Sequence, residues 1–348
     1  MKISLKPLRE QVIVITGASS GIGLATARAA AKKGAKLVLA SRNEEALANV
    51  EEQIKTEGGE AIHLVADVGR REDVQRIAET AIRHFGGFDT WINNAGVSIY
   101  GKLSEVSEED SRRLFDTNFW GVVSGSLMAA DHLRNRGGAI INLGSELSDV
   151  AIPLQGMYSA SKHAVKGFTD ALRAELEEDE APVSVTLIKP AGINTPYTEH
   201  ARNYTNKELT LPPPVYAPEE VAYGILYAAE HPERDIFIGS GSKLMSSLNK
   251  YAPSLVDWVN KKFMTNMQLR DKPAKHKDGS LHAPGADGHV HGNYEGHVMK
   301  TSLYTRASVH PAVTGAVVAA AAGAATMALL GKQRQKKQQN HQKGGATL

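Results

Sequence analysis

Hydrophobic and polar positions change their period several times along the chain. Val12–Thr16 is a short run rich in β-branched residues, followed by a helical pattern over 22–33 that Gly34 closes. Residues 36–40 then read as a strand and 44–57 as a helix. The alternation continues with strands at 61–66, Thr90–Asn93, Gly138–Leu143, 183–188 and Asp235–Ile238. Helical patterns occupy Arg71–Phe85, 108–134, 157–178 and 218–229. Short apolar strands separated by helices predict a parallel sheet covered on both faces. The expectation is an α/β, doubly wound, seven-stranded parallel sheet over residues 8–240, with ligands beyond the carboxyl ends of its strands.

After about residue 240 the pattern changes. Residues 243–267 predict one amphipathic helix with Leu244, Leu248, Tyr251, Leu255, Trp258, Val259 and Phe263 as apolar positions, a helical extension over 241–270. Residues 271–304 are rich in Gly, His, Lys, Asp and Pro without periodicity, and read as a flexible linker. Residues 311–331 carry no charge. As a helix they would extend about 31 Å, close to the ~30 Å hydrocarbon core of a bilayer. Ala and Gly dominate the segment, which makes insertion marginal, while Gly315, Ala319 and Gly323 give a small-residue face for helix pairing. A basic tail over 332–348, with Lys332, Arg334, Lys336, Lys337 and Lys343, reads as disordered. The expectation is membrane contact through the C-terminus. A simple span is disfavoured because it would carry these charges to the outer side. A helix lying on an anionic surface, a pair held in one leaflet, and an Ala-rich helix that avoids the membrane are the other readings.

Composition narrows the picture. An apolar share of 42% suits a sizeable core, and a net charge of +2 gives no signal for nucleic acid. The absence of cysteine rules out disulfides and cysteine chemistry. The first apolar run is short and ends in glycine, so it reads as a strand and not as a signal peptide; a cytoplasmic catalytic domain is expected. His276, His282, His289, His291 and His297 are irregularly spaced, and no metal site is expected from them.

TGASSGIG, Thr16 to Gly23, joins the first strand to the first helix. Glycines there let the backbone approach a pyrophosphate, and the helix N-terminus offers free N–H groups. Gly17, Ser19, Ser20, Gly21, Ile22 and Gly23 are the candidate cofactor residues of this turn. The second strand ends in LASRNEE, with Ser41 and Arg42 where an acidic residue would hold a ribose 2′-hydroxyl. A guanidinium suits a 2′-phosphate, so NADP(H) is expected over NAD(H). The Asp67 carboxylate, after the third strand, is a candidate for the adenine amino group, with a turn-forming aspartate as the equal alternative.

MYSASK places Tyr158 and Lys162 four apart on one helix face. An ammonium beside a phenol favours the phenolate, and such a tyrosine can exchange a proton with a carbonyl or alcohol oxygen. Ser145, closing the strand NLGS, is placed to polarise the same oxygen. TGASSGIG, NNAG, TNFWG with Asn118, the GS at Ser145 and YSASK together resemble the short-chain dehydrogenase/reductase family over roughly residues 8–240. The resemblance implies a Rossmann-like sheet, a nicotinamide cofactor and hydride transfer between that cofactor and a carbonyl or secondary alcohol. It implies Tyr158 as acid/base, Lys162 as the group that lowers its pKa and holds the nicotinamide ribose, Ser145 as the orienting hydroxyl and Asn118 as holder of a relay water. It further implies that Val68, Asn94, Ala95 and Gly96 pass beside the cofactor, with Pro190, Ile193 and Thr195 flanking the nicotinamide. KPAGINTP departs from the family pattern, since Ala191 stands where glycine is common and Gly192 follows, which puts the backbone path there in doubt.

Glu146, Leu147, Ile152, Leu154, Gln155 and Met157 lie near the active serine or tyrosine in sequence, and their mostly apolar character suggests a lipophilic substrate. Residues 197–216, with three consecutive prolines, fit a lid. The family also implies a homo-oligomer built through helices 108–134 and 157–178. The alternative is a cofactor-binding scaffold without turnover; the joint presence of Ser145, Tyr158, Lys162 and Asn118 argues against it.

Overall fold

A computed structural model describes residues 3–310, 314 and 315. The chain forms two compact units, Met1–Thr305 and Arg306–Leu348. The second is described only at 306–310, 314 and 315, so the readings of 311–331 and 332–348 otherwise lie outside the described residues. No helix among the described residues is long and apolar enough to cross a membrane.

The seven expected strands form: β1 (Val12–Thr16), β2 (Lys36–Ser41), β3 (Glu60–Val65), β4 (Thr90–Asn93), β5 (Gly138–Leu143), β6 (Val183–Pro190) and β7 (Asp235–Ile238). They pair in parallel in the order β7-β6-β5-β4-β1-β2-β3. The winding reverses between β1 and β4, which opens a crevice at their carboxyl ends. Every residue of β5 and β6 is buried, as expected for strands covered on both faces.

The helices of the wound domain are α1 (Gly21–Lys32), α2 (Glu44–Thr56), α3 (Arg71–Phe85), α4 (Glu108–Phe115), α5 (Gly121–Leu133), α6 (Gly156–Glu178), α7 (Tyr197–His200) and α8 (Pro218–Glu230). The apolar faces of α3, α5 and α6 share one core with β1, β4, β5 and β6, through residues such as Ile77, Leu133, Leu172, Trp91 and Ile140. The helix expected over 108–134 is broken by a π-helical turn, Asp116–Trp120, which carries Asn118.

A buried polar ladder ties the strand ends to α6. Trp91 Nε1 donates to Asn93 Oδ1 (2.8 Å), Asn93 Nδ2 to Asn142 Oδ1 (2.8 Å), and Asn142 Nδ2 to Thr169 Oγ1 (3.0 Å). Such a network holds its members rigidly. It fixes the strand tips that precede Asn94 and Ser145 against the helix that carries Tyr158 and Lys162.

Two expectations for the extension are corrected. The single helix over 243–267 is instead α9 (Ser240–Tyr251) and α10 (Pro253–Val259), followed by a π turn and a short helix to Met267. Pro253 is the cause: its ring disfavours helical geometry in the preceding residue, and Ala252 has φ −143° and ψ 59°. Val256 and Met264, with Met245 and Leu248, pack on Leu147, Val150 and Ile152, so the extension braces the loop after β5. The opposite face leaves Leu244, Tyr251, Leu255, Trp258 and Phe263 exposed.

Residues 271–304 are not a free linker. Leu269–Pro273 pairs antiparallel with Lys207–Leu209, and Val298–Met299 pairs in parallel with Val215–Tyr216. Leu281 is fully buried against Val97, Ile99 and Leu114. The segment is held by main-chain pairing, by buried Leu281 and Val290 and by side-chain ion pairs such as His282 with Asp110, none of which leaves a periodic trace in sequence.

Candidate active site

The glycine-rich turn forms where expected, between β1 and α1. Gly17 has φ +67°, a conformation open to glycine, and a Cβ there would meet Ala95 Cα at 2.8 Å. A Cβ on Gly23 would stand 2.0 Å from Gly17 O. Gly17, Ser19, Ser20, Gly21 and Ile22 line a cavity of about 260 Å³. Gly23 does not: it lets α1 pack under the turn and does not face the cleft. Opposite, Asn94 Nδ2 donates to Thr16 O (3.0 Å) and Gly17 O (3.1 Å), clamping the turn to the end of β4.

Ser41, Arg42, Asp67 and Val68 form the far end of the same cavity. Asp67 accepts from Arg113 Nη2 (2.6 Å) and from the Gly69 N–H (3.0 Å). Its carboxylate closes a turn and an ion pair while also lining the cavity. Arg42 points into the cleft and donates to the main-chain carbonyls of Ser280 and Leu281.

At the near end lie Ser145, Tyr158 and Lys162, with Asn94, Ala95, Gly96, Pro190, Ile193 and Thr195 around them. Ser145 Oγ accepts from the Leu147 N–H (3.0 Å), which orients the hydroxyl. Burial pushes the Tyr158 phenol up to about 12, opposed by the Ser145 and Tyr197 hydroxyls. Burial pushes the Lys162 ammonium down to about 8. Lys162 Nζ lies 5.7 Å from the centre of the Tyr158 ring and donates to Leu143 O (2.6 Å). Burial therefore dominates the tyrosine's shift. Asn118 is fully buried behind the cavity wall. It accepts from the Val97 N–H (2.8 Å) and donates to Val97 O (2.9 Å) and Ser161 Oγ (3.2 Å). These bonds hold the NNAG strand end against α6.

The family described as short chain dehydrogenase matches residues 11–206. The chain is 49% identical over 322 residues to the uncharacterized oxidoreductase YxnA of Bacillus subtilis, covering 91% of this chain and 90% of that protein. The chain belongs to the short-chain dehydrogenase family. Among solved structures, this oxidoreductase resembles a family member from Burkholderia phymatum in complex with NAD, with TM-score 0.65 and 29% identity over 72% of this chain and 97% of that one. It also resembles an alcohol dehydrogenase from Thermococcus sibiricus complexed with 5-hydroxy-NADP, with TM-score 0.58 and 26% identity over 66% and 95%.

The departure KPAGINTP is accommodated in this dehydrogenase by short parallel pairing of Gly192–Ile193 with Val215–Tyr216. Of the residues expected on the substrate side, Glu146, Leu147, Ile152 and Gln155 line the cavity. Leu154 and Met157 do not; Leu154 packs beside Tyr100 and Ala201 instead. Sequence reasoning missed Tyr100 and Ser98, and had Tyr197 only as the start of a lid. The Tyr197 hydroxyl donates to Gln155 Oε1 and accepts from Ser98 Oγ, both at 2.7 Å, and its ring meets Tyr158 edge-on at 5.6 Å. The extension reaches this wall too, since Gln155 Nε2 donates to Gln268 Oε1 (2.8 Å).

Glu146 is half-buried at the cavity wall, and burial raises its carboxyl to about 7 from 4.5. A carboxyl raised on folding costs stability as pH climbs from its unfolded value to its folded one, and the full cost stands above the latter. At ~1.4 kcal/mol per unit the full rise is about 3.5 kcal/mol, and the partial exposure of Glu146 lowers this, so Glu146→Gln is expected to stabilise the dehydrogenase by about 2–3 kcal/mol at pH 8. The gain should shrink towards pH 5. Urea unfolding at both pH values checks this; an equal effect at the two would remove Glu146 as the cause.

Proposed function

We propose that the dehydrogenase uses NADP(H) to interconvert a lipophilic carbonyl compound and its alcohol. The observation that carries this reading is one cavity joining the glycine-rich turn and Arg42 at one end to Ser145, Tyr158 and Lys162 at the other. The donor set fits a phosphate-bearing dinucleotide: a helix N-terminus with a glycine approach for the pyrophosphate, and a guanidinium at the tip of β2 for a 2′-phosphate. When bound, the nicotinamide supplies or accepts the hydride.

The chain's own residues do the rest. Ser145 Oγ, with an acceptor position filled by the Leu147 N–H, directs its proton at the substrate oxygen. Tyr158 gives its proton to that oxygen in reduction and takes one in oxidation. Lys162 supplies positive charge beside the phenol, which favours the phenolate formed in reduction. Leu147, Ile152, Leu211 and Pro212, with the rings of Tyr100 and Tyr197, make an apolar wall, while Ser98 and Gln155 offer a few polar atoms. That lining supports an uncharged, lipophilic substrate. The two solved relatives hold one cofactor of each kind, so Arg42 is the residue on which the NADP(H) preference rests.

With an aldehyde or ketone substrate, kcat/KM is expected to be at least about tenfold higher with NADPH than with NADH, as one lost charge-assisted contact predicts. Arg42→Ala should erase the difference. Equal or better use of NADH by the unaltered enzyme would sink the preference.

A further inference from the structure

Residues 279–292 cross the mouth of the cofactor cleft as a strap. They take up the groups on which the cofactor reading depends. Arg42 donates from Nη1 to Leu281 O (3.1 Å) and from Nη2 to Ser280 O. Arg113 Nε donates to the same Leu281 carbonyl (3.2 Å). At the glycine-rich turn, the N–H of Gly21, the first residue of α1, donates to His289 O (3.1 Å). Ser19 Oγ donates to Asp287 Oδ2 (2.8 Å), and the Gly288 N–H donates to Ser19 O (2.9 Å). Asn43 Nδ2, one residue past Arg42, donates to Gly285 O (3.1 Å).

We propose that this strap is an internal ligand of the cofactor cleft, which the phosphate-bearing half of the cofactor must displace in order to bind. The inference rests on the reading of the cleft as an NADP(H) site. Three observations favour displacement over a cover closing on bound cofactor. The helix N-terminal amide and the Arg42 guanidinium are the donors expected to meet the pyrophosphate and the 2′-phosphate, and both are already spent on strap carbonyls. The Asp287 carboxylate, one-tenth exposed, adds a negative charge at the turn where a pyrophosphate would come; like charges there oppose each other. The remaining cavity of about 260 Å³ falls below the ~300–1,000 Å³ of sites for drug-sized ligands, and a dinucleotide with two bases, two sugars and a pyrophosphate is larger than these.

The strap is held from outside the cleft as well. Leu281 is its apolar anchor, His282 Nε2 meets Asp110 Oδ1 at 2.7 Å, and the Ser280 N–H donates to His200 O (2.7 Å). His200 belongs to α7 in the expected lid, so strap and lid are joined. Lifting the strap would loosen the lid beside Tyr197.

The test uses the full chain and measures binding directly. NADPH, NADH and adenosine 2′,5′-bisphosphate are titrated by calorimetry against the unaltered protein, Asp287→Ala and Leu281→Ala. Asp287→Ala leaves the buried anchor in place and keeps the test open if Leu281→Ala fails to fold. Loss of one or more net hydrogen bonds from a competitor predicts about tenfold tighter binding, for the bisphosphate as well as for the complete cofactors. Thermolysin cleavage at the Ser280–Leu281 bond should accelerate when NADPH is added. Weaker binding in the variants, or protection of that bond by NADPH, would make the strap a clamp and overturn the proposal. Unchanged binding in Asp287→Ala and unchanged cleavage would overturn it too, while leaving the cofactor reading standing. No binding of any of the three ligands by any of the proteins would overturn both.

Discussion

Tyr158→Phe is expected to lower kcat for carbonyl reduction by about 10²–10⁴-fold, the span general acid catalysis contributes, while NADPH affinity stays within about twofold. Phenylalanine keeps the ring, and so the edge-on contact with Tyr197 at 5.6 Å and the packing on Leu147, Val150 and Ile152. It deletes the phenolic proton that the proposed mechanism transfers to the substrate oxygen. Burial makes that proton hard to lose, with the phenol pushed up to about 12. The phenol is therefore protonated at neutral pH. Single-turnover kinetics with saturating NADPH, paired with fluorescence titration of the cofactor, separate the chemical step from binding. Loss of cofactor affinity in parallel with kcat would mean that the ring placement, and not the proton, had been disturbed. Retained turnover would remove Tyr158 as the proton donor.

The parts of this protein that could be read in its sequence are those with a repeating physical cause. The central strands are apolar runs because both faces are covered, and the flanking helices show apolar stripes. Tyr158 and Lys162 were visible because helical spacing puts them on one face. Asn118 was visible as a motif, yet its placement behind the wall depends on a π turn that periodicity does not signal. Tyr197 and Ser98 come together across 99 positions of chain, and only the lid's path brings their hydroxyls to 2.7 Å. The strap was the largest loss. Gly, His and Pro gave it the composition of a linker, but its hydrogen bonds run from carbonyls and one carboxylate to partners such as Arg42 and Ser19, 238 and 268 positions away. Main-chain bonding of that kind is blind to side-chain pattern. The break at Pro253 differs: the proline stood in plain view inside the helical pattern, and its effect on Ala252 followed from sterics alone.

Asp149→Asn is expected to cost about 3 kcal/mol of stability, the low end for breaking a buried ion pair. Asp149 ends the turn that begins at Ser145, and its side chain is 8% exposed. Oδ1 accepts from Lys166 Nζ; Oδ2 accepts from Lys189 Nζ (3.2 Å) and Ser246 Oγ (2.9 Å). Lys189 is 3% exposed and keeps a second partner in Asp235 (3.1 Å), which is why the cost falls at the low end. Burial alone would raise the Asp149 carboxyl, but the hydrogen bond from Lys166 and the charge of Lys189 outweigh it and hold it below the usual range. A carboxyl depressed on folding contributes stability above its unfolded value and loses that contribution as pH falls through the folded one. The gap between Asp149→Asn and the unaltered protein should therefore be full at pH 7 and narrow towards pH 3, read by urea unfolding. Kinetics should respond as well. Asn249 Nδ2 donates to Asp149 O (2.8 Å), so α9 and β6 both hold this residue of the catalytic loop. Weakening it frees Glu146–Ser148, and with it the turn whose Leu147 N–H orients Ser145, so kcat should fall at a pH where the variant is still folded. A variant that is destabilised but turns over at the full rate would show that Asp149 ties the extension down without setting the serine.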